Sequence, residues 1–177
     1  MRVIAFLFVW LCGCAAAAAP GEWIVGPAPA DDPNMKAAIV TNDTGDTLYI
    51  WSRQDAERFQ VFVELHPGAG HVFGTEMPRY RIDQGEEIDT EGIRQDGERL
   101  NALWGYVGPS ATSWLVWTSI QDEVLPGDRL YEWFTGHELV IAWRSTDGTI
   151  QEARFTLAGA RGAILEATGV KSQEVVN

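Results

Sequence analysis

The sequence predicts a mainly β chain: a single antiparallel β-sandwich or barrel-like domain with one short C-terminal helix. Three observations lead there. From Lys36 onward, short stretches rich in aromatic and β-branched residues recur between clusters of Gly, Pro, Asn and Asp. Phe59, Val61, Val63 and Leu65 alternate with Gln60, Phe62 and Glu64, the period of two that marks a strand with one buried face. Near the end the period changes, because Ala160, Ala163, Ile164 and Ala167 recur at spacings of three and four.

Taken in order, Ala37 to Thr41 and Leu48 to Ser52 flank Asn42-Asp-Thr-Gly-Asp46 and form a candidate hairpin. The alternating strand through Phe59–Leu65 stops at His66-Pro67-Gly68, since proline and glycine interrupt a ladder. Tyr80 to Asp83, Leu100 to Val107 and Trp114 to Ser119 are further strand candidates. Asp147-Gly148, between Glu138–Arg144 and Ile150–Leu157, signals the clearest hairpin, with Leu139, Ile141 and Trp143 on one face. The helix that follows ends at Gly169 and carries a single apolar stripe, which suits packing on a sheet edge or face. No internal repeat or interior linker divides the chain. The expected organisation is an export segment over residues 1–19, one domain over 20–170 and a polar tail over 171–177.

The N-terminus carries its own message. Arg2 precedes an apolar run from Val3 to Leu11, and small residues follow, the layout of a bacterial secretory signal peptide. The run is too short to span a bilayer. Leu11-Cys12-Gly13-Cys14 fits a lipobox, in which Cys14 would be the lipid attachment point and Ala15 to Pro20 a tether. The other route is ordinary cleavage within Ala15–Ala19, which leaves a soluble chain. Either way the expected location is outside the cytoplasm, periplasmic or membrane-anchored by an N-terminal lipid. Multiple acyl chains would hold such a lipoprotein stably.

Composition narrows the function. With 46% hydrophobic and 21% charged residues, the chain is globular rather than disordered. Loss of Arg2 takes the 13 basic residues to 12 against 25 acidic ones, a net charge of −13. That charge disfavours nucleic acid and anionic headgroups as direct partners. Both cysteines lie in the export segment, so the mature domain has no cysteine nucleophile, thiolate zinc site or iron–sulfur cluster. No cofactor is expected.

Chemistry is scarce downstream. His66-Pro-Gly-Ala-Gly-His71 brings two imidazoles together, near Glu64 and Glu76, yet no recognised metal-ligand spacing occurs and no metal is expected. There is no Gly-x-Ser-x-Gly elbow, no Ser-x-x-Lys and no phosphate-binding glycine loop. The acidic groups Glu86, Glu87, Asp89, Glu91 and Asp122, Glu123 read as solvated faces rather than a glycosidase pair. Asp43 and Asp46 lack the spaced oxygen ligands of a calcium loop. No catalytic residue is assigned. Seven tryptophans remain after processing, and Trp114, Trp117 and Trp133 are the candidates for a ligand platform. On a regular strand Trp114 and Trp117 differ in parity, so one of them would face outward.

Ala153-Arg-Phe155-Thr-Leu157-Ala-Gly159-Ala-Arg-Gly-Ala163-Ile164 resembles the closing segment of the invasion-associated locus B family and of small lipoproteins associated with type VI secretion. Trp23-Ile-Val, Asp31-Asp32-Pro33, Tyr80-Arg-Ile-Asp83 and Gly136-His-Glu-Leu139-Val-Ile extend the resemblance from about Trp23 to Thr168. It implies a non-enzymatic, β-rich periplasmic or lipid-anchored domain, with no catalytic residues to carry over. The expected function is therefore an exported accessory domain that binds an envelope protein through a sheet face or edge. The alternative is a small-ligand or glycan-binding module using surface tryptophans.

Overall fold

A computed structural model of the chain describes residues 19–54, 58–68, 74, 76–90, 105–107, 112–120, 123–124 and 130–171. In chain order the elements are β1 (Ile24–Pro27), β2 (Lys36–Thr41), β3 (Thr47–Gln54), β4 (Arg58–His66), β5 (Arg79–Ile82), β6 (Ile88–Asp89) and β7 (Gly105–Val107). There follow β8 (Thr112–Ile120), β9 (Glu123–Val124), α1 (Leu130–Thr135), β10 (Glu138–Arg144), β11 (Ile150–Thr156) and α2 (Ala160–Thr168). All strand pairs are antiparallel. The larger sheet has the order β1-β2-β3-β4-β8-β7 with β9 on β8, and the smaller one β11-β10-β5-β6. The result is a sandwich-like domain rather than a closed barrel, the first of the two mainly β architectures that the sequence leaves open.

One core lies between the layers. Ala38, Val40, Leu48, Ile50, Val61, Val63 and Leu65 enter it from the larger sheet. Tyr80, Leu139, Ile141, Trp143, Ala153 and Phe155 enter it from the smaller. The predicted face Leu139–Ile141–Trp143 is buried throughout. The two layers differ in width, seven strands against four, so the smaller sheet alone leaves part of the larger one uncovered. Helix α2 fills that space. It packs against β1, β2 and β3 and buries Ala160, Ile164 and Thr168, while Ser52 Oγ donates to the Thr168 carbonyl at 2.9 Å. Gly169, at φ 75°, ends the helix where the sequence places its stop.

Two details differ from the sequence reading. A second helix, α1, precedes β10 and packs on α2, burying Leu130 and Trp133. Six residues are too few to display a helical period, which is why only the C-terminal helix is evident from spacing. Strand β4 is also buried on both sides at its centre, since Gln60 and Phe62 are covered as fully as Val61 and Val63.

Short polar connections lock the layers. Asp83, at φ 53°, turns the chain after β5, and its carboxylate accepts the backbone N–H groups of Glu138 (2.9 Å) and His137 (3.0 Å) at the start of β10. Those donors hold its carboxyl below the usual carboxylate range. Trp23 Nε1 donates to the Thr156 carbonyl at 2.7 Å and ties the entry to β1 onto the end of β11.

The β2–β3 turn is fastened the same way. Asn42 Oδ1 accepts the backbone N–H groups of Thr44 (3.1 Å) and Asp46 (2.9 Å). Asp46 is fully buried; its Oδ1 accepts the Gly68 N–H at 2.8 Å and its Oδ2 the Thr44 hydroxyl at 2.6 Å. This carboxylate therefore joins two loops. At Gly68 a Cβ would meet the Thr44 carbonyl oxygen at 2.5 Å, so the loops touch backbone to backbone.

Replacing the fully buried Asp46 with Ala leaves the part-buried Gly68 N–H without its acceptor and should cost about 1–3 kcal/mol. The exposed neighbour Asp43 should tolerate Ala within about 0.5 kcal/mol. Denaturant unfolding of both variants checks this, and equal stabilities would refute the role given to Asp46.

Candidate functional site

The two sheets present very different outward sides. On the smaller one, positions between the core residues carry Arg79, Arg81, Glu138, Arg144, Glu152 and Arg154. Arg154 bridges Glu138 (2.9 Å) and Glu152 (2.5 Å), and Arg79 meets Glu87 at 3.3 Å. Its apolar positions are Val140, Ala142 and Ile150: Val140 stands in register between Arg81 and Arg154, whose long aliphatic stems suit covering it, while Ile150 at the turn end is 63% exposed. This is the ordinary polar-out pattern of an antiparallel sheet.

The larger sheet breaks that pattern. Because side chains alternate, the residues between its core positions fall on the outward side, and cross-strand register sorts them into rows. One row runs Ile24, Ile39, Tyr49, Glu64. The next runs Gly26, Ala37, Trp51, Phe62, and beyond it Arg53 stands opposite Gln60. Trp51 and Phe62 stack at 4.8 Å between ring centroids, 23° from parallel. Tyr49 and Trp51 are partly exposed, and Ile24 at the sheet edge is exposed. Aromatic and aliphatic groups thus occupy positions where the other sheet places charges.

A polar cluster borders this row. His66 Nε2 lies 2.6 Å from Glu64 Oε1, so that nitrogen donates to the carboxylate and Nδ1 is left for another partner. The Tyr49 ring meets the His66 ring edge-on at 5.0 Å. Burial raises the Tyr49 phenol above its usual range, and the neighbouring Glu64 charge adds to the effect. The phenol therefore stays a hydrogen-bond donor at any physiological pH. Thr47, opposite His66 in register, shares its hydroxyl with Thr41 at 3.1 Å. The face offers flat apolar contact flanked by donors and one carboxylate, the chemistry of recognition.

The predicted residues fall elsewhere. Trp114 and Trp133 are both fully buried, with Tyr80 6.0 Å from one ring and 5.6 Å from the other. They are core residues and form no surface platform. Trp114 and Trp117 also lose their parity argument, because the ladder shifts between Val61 and Phe62. Trp114 pairs with Val63 and Trp117 with Val61, so the alternation restarts across the bulge. The Trp117 side chain lies outside the described residues, as do Cys14 and His71. Among the described residues, no group of three His, Cys, Asp or Glu could hold a metal ion, and no helix is long and apolar enough to cross a membrane. Glu76 meets Arg144 at 3.5 Å.

Sequence reasoning missed Tyr49, Trp51 and Phe62. In Leu48–Ser52 both alternating sets are large and apolar, so no polar partner marks which set faces out. A cleft of about 470 Å³ also lies between Pro20, the β2–β3 turn and β11, but its one arginine, Arg154, is already bridged by two glutamates. No family model matches the chain, and no curated protein or solved structure does.

The Tyr49 phenol should titrate above the ordinary tyrosine range. Replacing Glu64 with Gln should bring it only part of the way back, because burial is the larger cause. Tyrosine-resolved NMR titration reads both, and complete reversal in the variant would show that charge, not burial, sets the value.

Proposed function

We propose that this chain is an exported, non-enzymatic domain of the cell envelope that binds another envelope protein through the outward side of β2, β3 and β4. On this reading residues 1–19 direct export. The mature chain is then either free in the periplasm or held at the membrane by lipid on Cys14.

The observation that carries the proposal is the contrast between the two outward sides. One is an arginine–glutamate lattice with Ile150 at its turn end; the other bears Ile24, Ile39, Tyr49 and Trp51 in adjoining rows, with Phe62 buried beside Trp51. Contiguous apolar groups on an outward face favour aggregation, and a protein that keeps them gains by covering them with a partner. Tyr and Trp are the residue types that most often anchor such contacts. The acidic balance of the chain, −12 as a whole, points away from nucleic acid. The resemblance of the closing segment to the invasion-associated locus B family points to the same class of protein.

A photo-reactive benzoylphenylalanine placed at Tyr49 should cross-link to an envelope protein in the native host. The same group at Ile150, exposed on the smaller sheet, should not. Gel shifts and mass spectrometry of the adducts read the outcome. No adduct at position 49, or equal adducts at both, would overturn the proposal.

A further inference from the structure

Trp51, Arg53 and Gln60 adjoin one another on the outward side: Arg53 follows Trp51 by two residues on β3, and Gln60 pairs with Arg53 across the ladder. All three are donors without an acceptor. Gln60 is 4% exposed and its Nε2 has no hydrogen-bond partner, and the Trp51 Nε1, equally shielded from water, has none either. Arg53 is exposed and forms no ion pair or hydrogen bond among the described residues. Arg79, Arg144 and Arg154 by contrast each meet a glutamate. A buried amide left without an acceptor is costly, and so is a shielded indole N–H. The Arg53 guanidinium beside them adds an exposed positive charge with no carboxylate partner among the described residues.

We infer that this corner of the face recognises a carboxylate carried next to an apolar group on the partner protein. The carboxylate would accept from Arg53, and from Gln60 Nε2 and Trp51 Nε1 once both side chains turn outward, while the apolar group lies against the exposed part of the Trp51 ring. Charge complementarity selects this occupant. At the opposite end of the face Glu64 and His66 already satisfy each other, so among the described residues the uncommitted positive charge sits at the Arg53 end. A neutral carbonyl could satisfy the amide and indole but would leave the guanidinium unused, and an ammonium group would be repelled by it. The Trp51 ring is partly exposed while its N–H and the Gln60 amide are shielded, so binding requires both groups to turn, and the indole and amide resonances report it. The inference rests on the reading that this face binds a partner, and adds what that partner presents.

The test is titration of the ¹⁵N-labelled protein with 3-phenylpropionate, followed through indole and side-chain amide resonances. Trp51→Phe identifies the Trp51 signal. The carboxylate should shift the Trp51 indole and Gln60 amide signals while Trp114 and Trp133 stay fixed. Arg53→Gln should weaken binding about tenfold, as expected for loss of one charged hydrogen bond, and Arg53→Lys should restore part of it. The amine 3-phenylpropylamine should leave the same signals unmoved. Silence of Trp51 and Gln60 up to saturating carboxylate, or an equal response to the amine, overturns the inference. The outcome is separable from the cross-linking result: a cross-linked partner with silent resonances retains the face and removes the carboxylate.

Discussion

Tyr80 is the point through which the two layers hold together. Its ring lies against Trp114 from the centre of the larger sheet and against Trp133 from α1, and all three are at most 1% exposed. Three large aromatics in one contact bury more apolar area than any aliphatic set of the same number, and they fix the spacing of the layers. Both ends of this arrangement depend on local chemistry. The carboxylate of Asp83 holds the end of β5 to the start of β10, which keeps Tyr80 in register with Ile141. The bulge at Val61/Phe62 restarts the alternation of β8 against β4, with Trp114 on the side of Val63.

Once the core is assigned, the outward sides follow, because every strand has only two faces. The smaller sheet spends its outward positions on Arg and Glu, whose ion pairs in water contribute little to stability but keep the surface soluble. The larger sheet spends the equivalent positions on Ile24, Ile39, Tyr49, Trp51 and Phe62. Burial accounts for Phe62, but solubility and core packing do not require Ile24, Ile39, Tyr49 and Trp51, since the core already takes the other face of the same strands.

Much of the fold was legible in the sequence, for reasons that can be named. The β10–β11 hairpin was clear because Leu139, Ile141 and Trp143 alternate with shorter or charged residues and Asp147-Gly148 marks the turn. Helix α2 was clear because nine residues display a period and Gly169 ends it. Helix α1 was hidden by its six-residue length, and β1 by lying at the edge with Gly26 and Pro27 among four residues. The site was harder. Trp114 and Trp133 stood out as large aromatics, yet burial depends on which strand lies opposite, and no spacing within one strand encodes that. Trp51 was passed over because Leu48 and Ile50 beside it are just as apolar, so only the register with Phe62 and the core assignment of Ile50 reveal which side it faces.

The central claim is that the outward side of the larger sheet is covered by a partner in the cell while that of the smaller sheet is not. Hydroxyl-radical footprinting of the chain in its host envelope and after purification measures this directly. The account predicts that Tyr49, Trp51 and Ile24 are oxidised several-fold less in the envelope than in the isolated protein, with Ile150 unchanged. Equal oxidation of Tyr49 and Trp51 in both settings, or protection confined to Ile150 and its neighbours, would contradict it.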